Sequence, residues 1–167
     1  MTGDAMNYTA GRIHDVVVRP LAKHLDERGW LSELFRVDEL DGIPLPAMAY
    51  VSMTSPGIAR GPHEHVEQTD YFCFLGPANF KVYLWDSRPD SVSFGRRQIV
   101  YAGADAPRIV VVPPGVVHAY KNVGTESGLV FNAPDRLYAG EGRKQRFQKK
   151  LHLLERQGVC RQLCGLL

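Results

Sequence analysis

Short apolar runs, broken every ten residues or so by Gly, Pro, Asn and Asp, dominate the middle of this chain. They fall at 71–75, 80–85, 98–101, 109–112, 116–120 and 128–132 and are rich in β-branched and aromatic residues. Such short runs with turn residues between them predict an all-β sandwich or barrel rather than βαβ units. Upstream, 13–19 reads as a strand, and the turn Asp26-Glu27-Arg28-Gly29 leads into another at 30–35. A loop over 42–46 precedes a further strand at 49–54. Residues 1–12 are small and polar and are expected to be flexible, leaving 13–142 as one barrel domain. The tail 143–167 begins with a basic cluster of Arg143, Lys144, Arg146, Lys149 and Lys150. Leucines at 151 and 154 fit a short amphipathic helix closing the barrel, with a frayed basic tail as the alternative.

At 167 residues the chain can bury one sizeable core. A net charge of +2 is too small to argue for nucleic acid or an anionic membrane as partner. Cys73, Cys160 and Cys164 make no disulfide framework, and the lone CxxxC pair is weak as a zinc site. No run of eighteen apolar residues is present and the first residues lack an apolar block, so a cytoplasmic location is the expectation.

Two histidine motifs carry the chemistry. The first is Gly57-x5-His63-x-His65-x4-Asp70-x5-Gly76, and the second Pro113-Pro114-Gly115-Val116-Val117-His118-x3-Asn122. Histidines at i and i+2 of a strand share a face, and a third entering from a Pro-Gly turn can meet them inside a closed β-structure. Three imidazoles with the Asp70 carboxylate meet the demands of a metal site with open positions. They equally meet those of a proton-abstracting base, since imidazole titrates near neutrality. His118 could instead simply satisfy a backbone carbonyl, and Asn122 is expected to hold a turn. Arg60, close before His63, would aim a bidentate donor at the same pocket and suits an anion such as a diphosphate. Most of the aromatics belong to the core; Tyr138 follows the loop 133–136, where its ring can stack on a planar ligand.

Together the two motifs resemble the signature motifs of the cupin superfamily, whose fold is a double-stranded β-helix, a jelly-roll barrel. More specifically, 13–143 resembles the dTDP-4-dehydrorhamnose 3,5-epimerase family. The likeness rests on Asp26-Glu-Arg-Gly-Trp-Leu-x-Glu-Leu-Phe35, Arg60-Gly-x-His63, Asp86-Ser-Arg88 with Phe94-Gly95, and Pro113-x-Gly-x-x-His118-Ala-Tyr120. The resemblance implies an isomerase of a nucleotide-linked 4-keto-6-deoxy sugar, with His63 removing a proton next to the keto group. It implies that Arg60 and Arg28 hold the diphosphate, Arg28 coming from a neighbouring subunit. Glu33 and His118 join the substrate-binding set, and Tyr138 stacks on the base. It also implies a homodimer with exchanged N-terminal strands and no cofactor.

The departures from that family are specific. Phe131 stands where an acid tyrosine is expected, Thr69-Asp70 replaces a lysine, and no aspartate follows Asp135 to orient the base. Asp70 stands where cupins usually carry glutamate, and Pro107 where they usually carry glycine. His65 makes a His-x-His resembling that of sugar 3,4-ketoisomerases, in which the pair shuttles protons, so His65 joins His63 as a catalytic candidate. Two alternatives stay open: a metal enzyme using His63, His65, Asp70 and His118 with a divalent transition metal, or a sugar-binding cupin without catalysis.

Overall fold

The structure, a computed structural model, describes residues 7–40 and 42–143. The expected tail helix and the Cys160/Cys164 pair lie outside the described residues. Twelve strands follow one another: β1 (Thr9–Ala10), β2 (Val17–Pro20), β3 (His24–Asp26), β4 (Gly29–Leu31), β5 (Tyr50–Thr54) and β6 (Ala59–His63). The remainder are β7 (Asp70–Gly76), β8 (Asn79–Asp86), β9 (Arg96–Gly103), β10 (Arg108–Val112), β11 (Val116–Asn122) and β12 (Gly128–Asn132). Ten of these form two five-stranded sheets, ordered β1-β9-β8-β11-β6 and β2-β10-β7-β12-β5, and β3 and β4 form a separate hairpin. All neighbours pair antiparallel except β1 and β9. The all-β jelly roll expected from the sequence is the fold found.

The sheets close face to face on inward positions alternating along each strand. Phe72 and Phe74 of β7, Phe80, Val82 and Leu84 of β8, and Val110 and Val112 of β10 belong to one buried cluster. The outward positions of β7 and β10 (Tyr71, Cys73, Ile109, Val111) are covered in turn by Leu21, Leu34, Phe35 and Leu40. Burial on both faces is why these strands read as unbroken apolar runs instead of an alternation. Trp30 lies in a short hairpin strand that ends at Leu31, so the expected strand over 30–35 is cut, and Leu34 and Phe35 fold over the sheet. The Asp26–Gly29 turn is where the sequence placed it, with Gly29 at φ 129°.

Residues 7–12, expected to be flexible, are instead tied down. Thr9 and Ala10 pair with Arg96 and Arg97, and Tyr8 is buried. The Asp86–Arg88 corner holds the neighbouring stretch. Asp86 is fully buried and accepts hydrogen bonds from Arg88 Nε (2.8 Å), Arg88 Nη2 (2.9 Å), Ser91 Oγ (2.6 Å) and Ser93 Oγ. The same guanidinium donates to the carbonyl of His14 (2.8 Å) and to Asp15 (3.2 Å). Burial alone would raise the Asp86 carboxyl, but the donors from Arg88, Ser91 and Ser93 outweigh it and hold it down at about 2.

A carboxylate held below its unfolded value stabilises the fold fully above that value and ceases to do so as pH falls through the folded one. Stability should therefore fall as pH drops from 3.8 towards 2. Arg88→Ala should cost about 2–3 kcal/mol, because a buried carboxylate loses its charged partner. Thermal melts at neutral pH and between pH 2 and 4 check both, and an unchanged midpoint in the variant would contradict the role given to this corner.

Candidate active site

At one end of the barrel the inward positions turn from apolar to polar and open a cavity of about 320 Å³. It is lined by Tyr50 and Ser52 of β5, Arg60, Gly61 and His63 of β6, Asp70 and Phe72 of β7, His118 and Tyr120 of β11, and His65. His63, His65, Arg60, Asp70 and His118 thus meet as the sequence suggested. A larger, more open cleft of about 810 Å³ beside residues 11–18 is lined by Val16, Val18 and Val92 with Arg12 and Arg96 and shares no lining residue with the histidine cavity.

A bulge explains how Arg60 and His63 reach one cavity. Residues three apart on a regular strand face opposite sides, yet here His63 pairs with His118 while Arg60 pairs with Tyr120, so β6 carries one extra residue. Gly61 sits in that irregularity at φ 103°, where a Cβ would stand 2.8 Å from the carbonyl oxygen of His118. No other residue fits both the backbone and the gap. Arg60 is braced on β5 through Nε to Thr54 Oγ1 (2.8 Å) and through Nη2 to the carbonyl of Met53.

His65 does not share a strand face with His63, as the alternation argument expected. β6 ends at His63, and His65 enters from the following loop, its carbonyl accepting the Gly115 N–H at 2.8 Å. The turn before His118 therefore positions His65 as well. Ring centroids lie 6.1 Å apart for His63 and His118, and 5.6 Å for His65 and His118.

Asp70 is the buried centre of this group. Oδ1 accepts from Gln68 Nε2 and Asn132 Nδ2, both at 2.8 Å. Oδ2 accepts no hydrogen bond and faces His65 Nε2 at 3.4 Å and His118 Nε2 at 3.7 Å. Burial holds His118 well below the ordinary imidazole value, down to about 4; Asp70 opposes this, while His65 reinforces it. A neutral ring has one hydrogen, and Nδ1 lies 3.1 Å from the Val116 carbonyl, so that nitrogen carries it. The lone pair of Nε2 then faces Asp70. His118 satisfies a backbone carbonyl and lines the site at once.

Among the described residues, those able to hold a metal ion are His65, Asp70 and His118, whose ligand atoms lie within 4.8 Å of one another; His63, the fourth residue expected, stands outside this trio. Arg28 is exposed at the β3–β4 turn, paired with Asp26, and Glu33 is exposed beside Arg36 at 3.7 Å; neither lines the cavity of its own chain. Tyr138 is exposed, with its N–H on Met48 Sδ at 3.1 Å. Asn122 holds the turn after β11, bonding Thr54, Gly124 and Glu126.

Phe131, read as the vacated acid position, packs on the outer face of its sheet with Cys73 and Tyr71, so no side chain there would reach the cavity. The inward neighbour is Asn132, which joins Asp70 to Tyr50. Sequence reasoning missed Asn132, Tyr50, Ser52 and Gln68. The signal for two of them was present: Tyr50, Ser52 and Thr54 alternate with exposed Val51 and Met53.

The chain belongs to the dTDP-4-dehydrorhamnose 3,5-epimerase family, whose model matches residues 10–161. It is 39% identical over 132 residues to a probable low-salt glycan biosynthesis epimerase, Agl13, of Haloferax volcanii, covering 75% of this chain and 81% of that protein. It is 36% identical over 112 residues to the spore coat polysaccharide biosynthesis protein SpsL of Bacillus subtilis, covering 67% and 73%. The fold is shared with a dTDP sugar isomerase of Desulfovibrio desulfuricans (TM-score 0.69, 24% identity, 74% of this chain and 78% of that one). It is shared too with ChmJ, a 3'-monoepimerase of Streptomyces bikiniensis in complex with dTDP-quinovose (TM-score 0.68, 24% identity, 78% and 68%).

Proposed function

We propose that this protein is an isomerase of a nucleotide-linked 4-keto-6-deoxy sugar, with His63 as the base that removes a proton next to the keto group. The observation that carries the reading is the placement of His63 beside His118 across β6 and β11, in a cavity that also contains Arg60. A 4-keto group acidifies the protons on C3 and C5, and the ring nitrogen of an imidazole is suited to taking them. Arg60, always cationic and already braced, supplies a donor for the diphosphate. His118, kept neutral by burial, contributes no charge that would repel a protonated base.

A homodimer fits the same reading. Among the described residues β5 is an edge strand of its sheet and exposes Val51 and Met53. The β3–β4 hairpin carries exposed Leu25, Trp30 and Leu31 together with Arg28. An exchanged N-terminal segment covering such an edge would bury both apolar sets and deliver Arg28 to the partner's cavity.

A second reading is favoured by the unsatisfied Oδ2 of Asp70, which faces two imidazole nitrogens. His65, Asp70 and His118 would hold a divalent transition metal, which supplies Lewis acidity towards a keto oxygen when bound.

Incubating the protein with a dTDP-4-keto-6-deoxy sugar in heavy water tests the first reading. Deuterium should enter next to the keto group, and His63→Ala should slow this by about 10²–10⁴-fold; a wild-type protein that incorporates none would overturn it. Elemental analysis of protein purified without chelator tests the second. Near-stoichiometric metal lost in His118→Ala supports the metal site, and full turnover by metal-free protein contradicts a catalytic role for it.

A further inference from the structure

The hydrogen bonds of Asn132 fix the orientation of a phenol that no sequence motif marked. Oδ1 of Asn132 accepts the backbone N–H of Tyr71 at 3.0 Å, which identifies that end of the amide as oxygen. Nδ2 then gives one hydrogen to Asp70 Oδ1 at 2.8 Å and the other to Tyr50 Oη at 2.9 Å. Tyr50 is the acceptor in that bond, so its own hydrogen points elsewhere. Among the described residues the bond from Asn132 is the one its hydroxyl makes. Tyr50 lines the cavity, so this hydrogen is available to a molecule bound there.

Tyr50 and His63 belong to opposing sheets, β5 lying beside β12 and β6 beside β11. A sugar ring held between the sheets presents one face to each residue. Tyr120 differs on both counts. It stands on β11, in the sheet of His63, and its hydroxyl is engaged with Ser52 Oγ at 3.0 Å. Phe131 faces outwards and has no hydroxyl.

We propose that Tyr50 is a catalytic acid of this enzyme, returning a proton to the sugar carbon from the face opposite His63 and so inverting that centre. The assignment rests on the 4-keto sugar reading given above. His63 takes the proton, and the electrons of the broken C–H bond form the enolate with the 4-keto oxygen. A new C–H bond then forms to the Tyr50 hydrogen, its O–H bond breaks, and a phenolate accepting the Asn132 N–H remains. The sugar loses and gains one proton. Imidazolium and phenolate are restored by exchange with water, which reaches Tyr50 because 46% of its surface is exposed. Partial burial raises the phenol above its ordinary value and keeps its hydrogen in place at neutral pH, the Asn132 bond working weakly the other way.

Tyr50→Phe separates the two half-reactions. With a dTDP-4-keto-6-deoxy sugar in heavy water, followed by NMR, wild type should show both deuterium uptake and inverted product. Tyr50→Phe should keep deuterium uptake within about tenfold while inverted product forms about 10²–10⁴-fold more slowly. Retained uptake also shows that the variant is folded and the base intact. Inversion at the wild-type rate in Tyr50→Phe, or loss of uptake and inversion together, overturns the assignment and leaves that of His63 untouched. A wild type without uptake removes the sugar reading, and the acid role with it.

Discussion

The carboxamide of Asn132 joins a backbone N–H of β7, the buried carboxylate of Asp70 and the phenol of Tyr50, and the polar end of the barrel depends on that junction. Each atom of the amide has a partner, so its orientation is fixed. From this follow the direction in which Tyr50 offers its hydrogen and the half of Asp70 that is left to face His65 and His118. A buried polar group is tolerated where its bonds are complete, and Oδ2 of Asp70 is the exception in this network. Completed bonds hold the frame, and the incomplete atom marks where chemistry or a cation belongs.

The two sheets contribute different groups to the cavity. β6 and β11 bring His63, Arg60 and His118, and β5 and β7 bring Tyr50 and Asp70, which Asn132 of β12 joins from behind. The difference has a local cause on each side. On β6 it is the extra residue at Gly61, which puts Arg60 and His63 on one face. On β12 it is plain alternation, which turns Phe131 outwards and Asn132 inwards. A proton taken at one sheet and returned at the other changes sides of a ring held between them.

Much of this was legible in the sequence, and the reasons for the rest are physical. The apolar runs announced the barrel because strands buried on both faces have no other composition available. His63, His65, Asp70 and His118 were legible because two local motifs hold them. His65 was placed correctly in the cavity for the wrong reason, since it rides on a loop pinned by Gly115 rather than on a strand. Alternation along 50–54 shows Tyr50 sharing a face with Ser52, but its tie to Asn132 is a bond between strands 82 residues apart, which no local spacing encodes. Phe131 misled because its importance was inferred from position alone, and only the register of β12 shows which face it occupies. Arg28 was legible as a turn residue, whereas any part it plays in the cavity requires a second copy of the chain.

The central claim is that a sugar ring lies between these two walls with His63 on the reacting carbon. A crystal structure with a bound dTDP-4-keto-6-deoxy sugar tests it most directly. The carbon next to the keto group should lie about 3.5 Å from a ring nitrogen of His63, the distance of a near-attack arrangement. The Tyr50 hydroxyl should lie on the opposite face of the ring. A sugar seated in the cleft beside residues 11–18, or one whose reacting carbons face neither residue, would contradict it.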